Sequence, residues 1–340
     1  MTGRTAEDLA WTVDRLRASL RLPLVSAPMF KVSGLELVKA VCRSGAIGAF
    51  PSINARTPDG FESWLDELES DRGRVIAAGQ QPAPYAVNLL THDSNARFAP
   101  DFEIIQRRKP PIVITSVGRP EVVVEAVHGY GGLVFADVVS LRHARRSADF
   151  GVDGMVLLCA GAGGQTGRLN PFAFIEAVRA FYDGLLIVAG GITRGHQLRS
   201  IEIAGADLGY CGTRFIATDE SAAEPGHKEA VIGAEIDDVW DTDALSGIPA
   251  STLRSSLEKL GLTPETRWIQ QGRANYDWAA VKEIPGVYSL GHGAGDIRSL
   301  EPVSTVIDRL AQEYVAASGL GSRTDGRSTA DTDVDRIGAP

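Results

Sequence analysis

Glycine-rich turns follow three consecutive apolar segments in the middle of the chain. Residues 161–167 contain four glycines, and shorter turns follow at residues 190–193 and 212–213. Each turn comes directly after an apolar run of strand length. Because glycine has no Cβ and tolerates positive φ, such turns let a flat or anionic ligand approach main-chain N–H groups. Three of them in succession indicate one shared ligand site.

Four earlier apolar segments end in residues that could contact the same ligand. An Ala-Pro-Met triplet ends the first segment, and an amide, a hydroxyl and a carboxyl end three others. These side chains supply hydrogen-bond donors and acceptors. In chain order the residues are Ala27, Pro28, Met29, Asn88, Ser116 and Asp137.

The elements that must bring these residues together are apolar runs that alternate with stretches of helical spacing. Eight such runs are found, at residues 22–27, 47–50, 85–89, 112–115, 132–137, 155–158, 185–189 and 206–210. Strict alternation predicts a parallel sheet, and eight strands predict an α/β fold closed into a (β/α)8 TIM barrel. An open doubly wound sheet is the alternative. In a closed barrel the carboxyl ends of the strands face one mouth, where active sites are built.

The alternation of strands and helices stops after the eighth run, so the chain divides there into a barrel and a following region. Helix-like stretches at 227–232 and 250–260 predict a small helical lid subdomain inserted after strand eight. Polar, small residues at the end predict a disordered tail. The predicted regions are an N-terminal helix (1–20), the barrel (21–220), the lid (221–284), a return to the barrel with a final helix (285–316) and the tail (317–340).

Composition narrows the classes of partner and compartment. Of the 340 residues, 44% are hydrophobic and 23% are charged, which allows a sizeable core, and the net charge of −9 disfavours a nucleic-acid partner. The three cysteines stand far apart at no metal-ligand spacing, so we expect no metal site and a reducing compartment. No apolar run approaches the roughly 18 residues of a membrane span, and no signal-peptide core is present. These features predict a cytoplasmic protein that does not enter membranes.

Two of the glycine turns suit a phosphate group. The turns after strands seven and eight of a barrel often hold phosphate through glycine N–H groups and a short helix. Here those turns contain Gly190 and Gly191, then Gly212 and Thr213. A phosphate there, with a third glycine turn beside a planar ring, fits flavin mononucleotide (FMN) better than a dinucleotide. The G-x-G-x-x-G fingerprint after the first strand is absent, and a sugar-phosphate substrate is the alternative ligand.

Several of these segments together resemble the nitronate monooxygenase family, also called the 2-nitropropane dioxygenases. They are Ala-Pro-Met at 27–29, Val-Asn-Leu at 87–89, Ala-Gly-Gly at 162–164, Ala-Gly-Gly-Ile at 189–192 and Gly-Thr-Arg-Phe at 212–215, followed by Thr-Asp-Glu-Ser at 218–221. The resemblance extends from about residue 22 to residue 310 and implies an FMN-binding barrel with a small lid. The family includes or neighbours flavin-dependent enoyl reductases and NADH:quinone reductases.

The resemblance also implies roles for individual residues. Pro28, Met29 and Asn88 would lie along the flavin ring, and Gly163 and Gly164, which follow Ala162, would lie beneath the substrate. The residues that would hold the phosphate are Gly190, Gly191, Cys211, Gly212 and Thr213.

One position departs from the family pattern. Where the family usually has a histidine after the paired glycines, this chain has Gln165. Histidine can take a proton from a carbon acid near neutral pH, and a glutamine amide cannot. A nitronate is already deprotonated, so Gln165 would only donate a hydrogen bond to a nitro oxygen. We therefore expect the protein to oxidise alkyl nitronates and not neutral nitroalkanes.

The histidines and one aspartate complete the set of candidates. His92, just past the third strand, could contact the substrate or be an ordinary loop residue, and His292, between two glycines, is a weaker candidate of the same kind. Asp137 could orient the flavin or the substrate, or cap a helix. The other histidines fall on helices, where a solvated side chain is the simpler reading. Ser26, Ser33 and Ser116 have no evident base partner, which disfavours a hydrolase.

Three functions are compatible with the sequence. The first is an FMN-dependent nitronate monooxygenase that converts an alkyl nitronate and O2 to a carbonyl compound and nitrite. The second is a reductase that passes hydride from NAD(P)H through FMN to an enoyl thioester or quinone. The third is a flavin-free barrel, either a lyase or isomerase of sugar phosphates or a binding protein.

Overall fold

The centre of the computed structural model, which describes residues 11–245, 247–263, 265–266 and 285–319, is a closed barrel of eight parallel strands. The first strand pairs with both the second and the last, which closes the barrel. The predicted TIM barrel is confirmed. Its strands are β1 (Leu24–Ser26), β2 (Ile47–Pro51), β3 (Tyr85–Leu90), β4 (Ile112–Ser116), β5 (Leu133–Val138), β6 (Gly154–Leu158), β8 (Leu185–Ala189) and β9 (Leu208–Cys211), and β7 (Gly164–Gln165) belongs to a second sheet.

Helices surround the barrel and follow its strands in turn. They are α1 (Val13–Ser19), α2 (Leu35–Arg43), α3 (Pro58–Ala77), α4 (Phe98–Arg108), α5 (Glu121–Gly129), α6 (Leu141–Asp149), α7 (Pro171–Arg179) and α8 (Gly195–Ile203). The final helix α12 (Val303–Ser318) packs on α8 and α2. In α3, Thr57 accepts a hydrogen bond from the Gly60 N–H at 3.1 Å and Pro58 takes the first position, so both residue types favour a helix start here.

Side chains alternate between the inside of the barrel and the layer beneath the helices. In β5, Leu133 and Phe135 belong to the interior cluster, whereas Val134, Ala136 and Val138 pack with the helices. This period of two places Asp137 on the inside at the carboxyl end of β5. The same argument places Asn88 and Ser116 inside at the ends of β3 and β4. Apolar residues fill the interior below them, so the polar groups form its top layer.

The segment after β9 differs in part from the prediction. Its described residues up to 263 include the helices α9 (Thr213–Ile216), α10 (Pro225–Gly233) and α11 (Arg254–Glu258), and also two antiparallel strands, β10 (Val239–Thr242) and β11 (Ala250–Leu253). These strands join β7 in the order β10-β11-β7. The helix predicted over 250–260 was therefore wrong for its first four residues. They form a strand because they pair with Gly164 and Gln165, a long-range contact that leaves no local pattern.

Some predictions fall outside the described residues. The first ten residues of the predicted N-terminal helix, residues 267–284 of the predicted lid and residues 320–340 of the predicted tail are in this group. Within the described ranges, no helix combines the length and the apolar character needed to cross a membrane. All three cysteines, Cys42, Cys159 and Cys211, are buried and free.

Candidate cofactor and substrate site

The turns at 161–164 and 212–213 meet at the mouth of the barrel. Thr213 Oγ1 accepts a hydrogen bond from the Gly291 N–H at 2.9 Å. A Cβ added to Gly163 would lie 3.0 Å from Thr213 Oγ1 and 2.8 Å from the Gly291 nitrogen. The two turns are therefore in contact through the segment that returns from the lid.

The turn at 190–191 joins the same assembly through His292. The His292 N–H donates to the Gly161 carbonyl at 3.0 Å. A Cβ on Gly161 would lie 2.7 Å from His292 Nδ1, and one on Gly191 would lie 4.0 Å from His292 Cβ. All three glycine turns thus occupy one rim of the barrel, as the sequence predicts.

Several of these glycines adopt conformations that other residues avoid. Gly161, Gly164, Gly190 and Gly191 have φ values of +85°, +63°, +142° and +68°. No heavy atom lies within 4 Å of a Cβ added to Gly164, apart from its chain neighbours, so its main chain borders open space. Bare main chain with positive φ is the arrangement that binds anions and flat rings. The rim therefore fits the phosphate and ring of a flavin nucleotide.

The opposite side of the mouth carries side chains. Asn88 Nδ2 donates hydrogen bonds to the Ile114 carbonyl at 3.1 Å and to Ser116 Oγ at 2.8 Å. Both Asn88 and Ser116 are buried. The amide is therefore held between two strands, and its orientation is fixed before any ligand binds.

Asp137 extends this polar row onto the next strand. Its Oδ1 is buried and has no hydrogen-bond partner among the described residues. Burial raises the pKa of Asp137 to about 7. Tyr210, inside β9, is near enough for electrostatic interaction with the carboxyl, and burial raises the Tyr210 pKa well above its ordinary value. The tyrosine is therefore neutral, and the aspartate titrates near neutral pH.

The loop after β1 is fixed beside Gly212. The Ala27 N–H donates to the Cys211 carbonyl at 2.9 Å, and Pro28 follows directly. The Met29 N–H donates to Ser33 Oγ at 3.0 Å, and Asn54 Nδ2 donates to the Met29 carbonyl at 2.9 Å. Met29 Sδ would be 3.3 Å from a Cβ on Gly212. The loop therefore lies at the same rim as the predicted phosphate turn.

Two other residues assigned from the sequence contribute through their main chains. The Cys211 side chain belongs to the cluster beneath the helices, and burial raises the pKa of its thiol to about 12. The main chain is thus the part of Cys211 that faces the rim. Ala162 is buried in the interior cluster, where its small side chain keeps the turn close to the barrel.

Gln165 and His92, the two predicted catalytic residues, lie on different loops. Gln165 is in β7, opposite Ala250 of β11, so the second sheet determines its position. His92 Nδ1 lies 2.9 Å from Ser94 Oγ and accepts from the Ser94 N–H at 3.2 Å. His92 also lines a cavity of about 290 Å³ between the loop after β3, the start of α4 and Val122 of α5. Contact of either residue with a substrate stays a prediction.

Sequence reasoning missed several residues that hold the site together. Asn54 and Ser33 fix the Met29 loop, and neither has a local signal beyond being polar. Arg194 forms two hydrogen bonds with Asp296, at 2.7 and 3.0 Å, which attach the returning segment to the start of α8. The bonded Arg194 guanidinium lowers the pKa of Asp296. The glycines around His292 were visible as a motif but had no assigned role.

The described part of the chain contains no group of three or more His, Cys, Asp or Glu side chains that could hold a metal ion. The mouth presents main-chain amides, an amide side chain, hydroxyls and one carboxyl.

Comparison with known proteins agrees with the sequence motifs. A family model described as nitronate monooxygenase matches residues 79–313, which is more than half of the chain. A nitronate monooxygenase of Paraburkholderia phytofirmans is 25% identical over an alignment of 345 residues that covers 86% of this chain and 92% of that protein. The resemblance inferred from the sequence is confirmed.

Relatives with other names show a similar degree of sequence identity. The (3aS,4S,5R,7aS)-5-hydroxy-7a-methyl-1-oxo-octahydro-1H-indene-4-carboxyl-CoA dehydrogenase of Mycobacterium tuberculosis is 26% identical over 242 residues, which are 70% of this chain and 65% of that protein. The crystal structure of a nitroalkane oxidase from Streptomyces ansochromogenes superposes with a TM-score of 0.75 and 23% identity, covering 89% of this chain and 99% of that one. This structural likeness shows a shared fold.

Proposed function

The chain belongs to the nitronate monooxygenase family, and from this premise we propose that it binds FMN at the barrel mouth and oxidises alkyl nitronates with O2. The products are the carbonyl compound and nitrite. The observation that carries the proposal is the convergence of three glycine turns on one rim, opposite a row of polar side chains. A phosphorylated planar ring needs both kinds of surface.

The phosphate is held by main-chain N–H groups at residues 190–191 and 212–213. Such groups bind an oxyanion with fixed geometry, and they do not titrate. Met29 and Asn88 border the flavin ring, the first through its apolar side chain and the second through its fixed amide. When bound, the flavin accepts electrons from the nitronate and passes them to O2.

Gln165 orients the substrate and does not remove a proton from it. Its position on β7 is fixed by pairing with β11, beside Gly164, whose main chain borders open space. The amide donates a hydrogen bond to a nitro oxygen of the nitronate, which arrives without its carbon-bound proton. A neutral nitroalkane needs a base, and a glutamine amide cannot supply one.

Rates on the two protonation states of one substrate test this role. We expect the wild-type protein to turn over the nitronate and to act on the neutral nitroalkane more slowly by about 10² or more, the usual contribution of general-base catalysis. Gln165→His should raise the rate on the neutral form and leave the rate on the nitronate within a few-fold. Efficient turnover of the neutral nitroalkane by the wild-type protein would contradict the assignment.

A reductase is the second candidate, because one relative is named as a dehydrogenase of a CoA thioester. In that case NAD(P)H reduces the flavin, and an enoyl thioester or quinone accepts the hydride. Anaerobic mixing distinguishes the two candidates. For a nitronate monooxygenase, the absorbance of the oxidised flavin stays unchanged when NADH or NADPH is added and decreases when nitronate is added. A reductase shows the reverse order.

The flavin itself is tested by the absorbance spectrum of the purified protein. We expect a yellow protein with bound FMN, or a colourless one that becomes yellow when FMN is added. A protein that neither contains nor accepts FMN would leave only a flavin-free barrel.

A further inference from the structure

Asp137 is the carboxyl group in the top layer of the barrel interior. It faces inward at the end of β5, one strand away from Ser116 and two strands away from Asn88. The inward-facing residues of the barrel strands include one other ionisable side chain, Tyr210. A carboxyl in this place can reach only what enters the mouth.

One oxygen of this partly buried carboxyl lacks the partner that a buried acid usually has. Oδ1 is buried without a hydrogen bond among the described residues, although an unpaired buried polar atom is destabilising. Inward residues around it are apolar, namely Phe135 below it and Val156 and Leu158 on β6. The Ser116 hydroxyl on the neighbouring strand accepts from Asn88 and forms no hydrogen bond with this oxygen. The unpaired oxygen is therefore explained by a ligand that completes its hydrogen bonding.

Burial, and not a neighbouring charge, determines the pH at which this carboxyl ionises. Burial raises its pKa to about 7, and no charged group contributes to that shift. Tyr210, across the barrel, is the titratable side chain whose electrostatics involve Asp137, and it is neutral because burial raises its own pKa. Ser116 on β4 and the inward residues of β6 carry no charge. Near neutral pH the group is therefore divided between a protonated and an ionised form.

We propose that the protonated Asp137 carboxyl donates a hydrogen bond to an acceptor atom of the bound flavin ring, which makes cofactor affinity depend on pH. The inference rests on the FMN site proposed above. A neutral carboxyl has one O–H donor, whereas a carboxylate has only lone pairs. Ring nitrogens and carbonyl oxygens of a flavin accept hydrogen bonds, so they favour the protonated carboxyl and are repelled by the ionised one.

The sign of the effect follows from proton linkage. If FMN binds the protonated form more tightly, bound FMN raises the pKa of Asp137 further, and affinity falls as pH rises above about 7. The fall is at most tenfold per pH unit. An asparagine at this position donates from Nδ2 at every pH, so its affinity for FMN loses this dependence.

The experiment dilutes the FMN-bound protein at pH 6.5, 7.5 and 8.5 and measures the flavin fluorescence that is released. We compare the wild-type protein with Asp137→Asn and with Asp149→Asn, which makes the same change on the exposed end of α6. The phosphate of FMN titrates near pH 6, and this contribution is common to all three proteins, so it cancels in their ratios.

The expected result is an FMN dissociation constant that rises about tenfold from pH 6.5 to pH 8.5 in the wild type and in Asp149→Asn, and by less than twofold in Asp137→Asn. A flat wild-type profile, an affinity that increases with pH, or parallel profiles in all three proteins would overturn the inference and leave the FMN site intact. Absence of FMN binding at every pH in all three proteins would overturn the proposed function as well. The wild-type profile decides the matter even if Asp137→Asn does not fold.

Discussion

The two halves of the barrel mouth present different kinds of surface to a ligand. In the glycine half, the turns at residues 161–164, 190–191 and 212–213 follow β6, β8 and β9, and the main chain has open space beside Gly164 and Gly191. In the side-chain half, Asn88, Ser116 and Asp137 end β3, β4 and β5. Main-chain amides have fixed geometry and no titration, whereas side chains can change charge. One barrel mouth can therefore combine main-chain contacts that do not depend on pH with a side-chain contact that does.

The halves also differ in how they are supported. The glycine half is covered by the returning segment, with Gly291 against Thr213 and His292 against Gly161. The side-chain half depends on hydrogen bonds between neighbouring strands, such as that from Asn88 to the Ile114 carbonyl. We therefore expect substitutions in the glycine half to lower the stability and the ligand affinity together. Substitutions in the side-chain half should change one of these quantities without the other.

The largest effect is expected from Gly163→Ala. The new Cβ would lie 2.8 Å from the Gly291 nitrogen and 3.0 Å from the Leu290 carbonyl carbon, and main chain cannot move aside cheaply. We expect the free energy of unfolding to fall by about 3 kcal/mol, the upper range for overpacking, with loss of FMN binding. Urea denaturation measures this.

Gly164→Ala is the matched control, because its added Cβ meets no atom within 4 Å and its φ of +63° costs about 1–2 kcal/mol. Equal losses in both variants would contradict the role of Gly291.

The pH dependence of stability tests the side-chain half. The pKa of Asp137 is about 7 in the folded protein and near 4 when unfolded, so between these values the folded state binds one more proton. Stability from this group is present at low pH and is lost as pH rises toward 7. From pH 5 to pH 7.5 we expect the wild-type free energy of unfolding to fall by about 2.5 kcal/mol relative to Asp137→Asn. Urea denaturation with superimposable pH profiles for the two proteins would refute this.

Gly191→Ala separates ligand binding from backbone strain. Gly191 has a φ of +68°, and the nearest atom to an added Cβ is 4.0 Å away, so the protein itself has room for the methyl group. Alanine keeps the main-chain N–H, but its methyl group would hold the phosphate away from that donor. We therefore expect FMN affinity to fall about 10- to 100-fold, the size of one charge-assisted hydrogen bond. The unfolding free energy should fall by only about 1–2 kcal/mol.

Gly151→Ala is the control for that prediction. Gly151 has a φ of +73° and open space around it, but it precedes β6 at the opposite end of the barrel. It should lose similar stability and retain FMN affinity. If titration with FMN gave equal affinities for the two variants, the turn at 190–191 would not contact the cofactor.

The smallest effect is expected from Asn88→Ala. The change leaves the Ile114 carbonyl and Ser116 Oγ without their donor, and the unfolding free energy should fall by about 1–2 kcal/mol. Ser116→Ala removes one of these bonds and should cost about half as much. Thermal or urea unfolding of both variants measures the difference. A larger loss of unfolding free energy in Ser116→Ala than in Asn88→Ala would mean that the serine, and not the asparagine, holds this row of polar side chains in place.

The barrel was predictable because each of its strands is buried on both faces. Such strands are continuous apolar runs, and the structure places all eight within about two residues of the positions expected from the sequence. The second sheet was not predictable, because β11 pairs with the turn at Gly164 and Gln165 across a long stretch of sequence. Four residues are also too few for a periodic pattern to appear.

The site was predictable to the extent that residue type alone carries the signal. Glycine marks positions where the main chain must lie without a side chain. The turns at 161–164, 190–191 and 212–213 could therefore be identified from their glycines and from their order in the sequence. Asn54 and Tyr210 were missed because their roles depend on partners that folding brings near. Asp137 was found by its place at a strand end, but its unpaired oxygen and its raised pKa are properties of the folded barrel.

The contacts of Gly291 and His292 with Thr213 and Gly161 have a consequence for biosynthesis. Barrel strands β1 to β9 emerge from the ribosome first, but the rim that they form lacks its cover until translation has passed residue 292. A nascent chain therefore acquires its strands well before it acquires a finished binding site. Capture of the cofactor is expected to be among the last events of maturation, after the C-terminal segment has folded back.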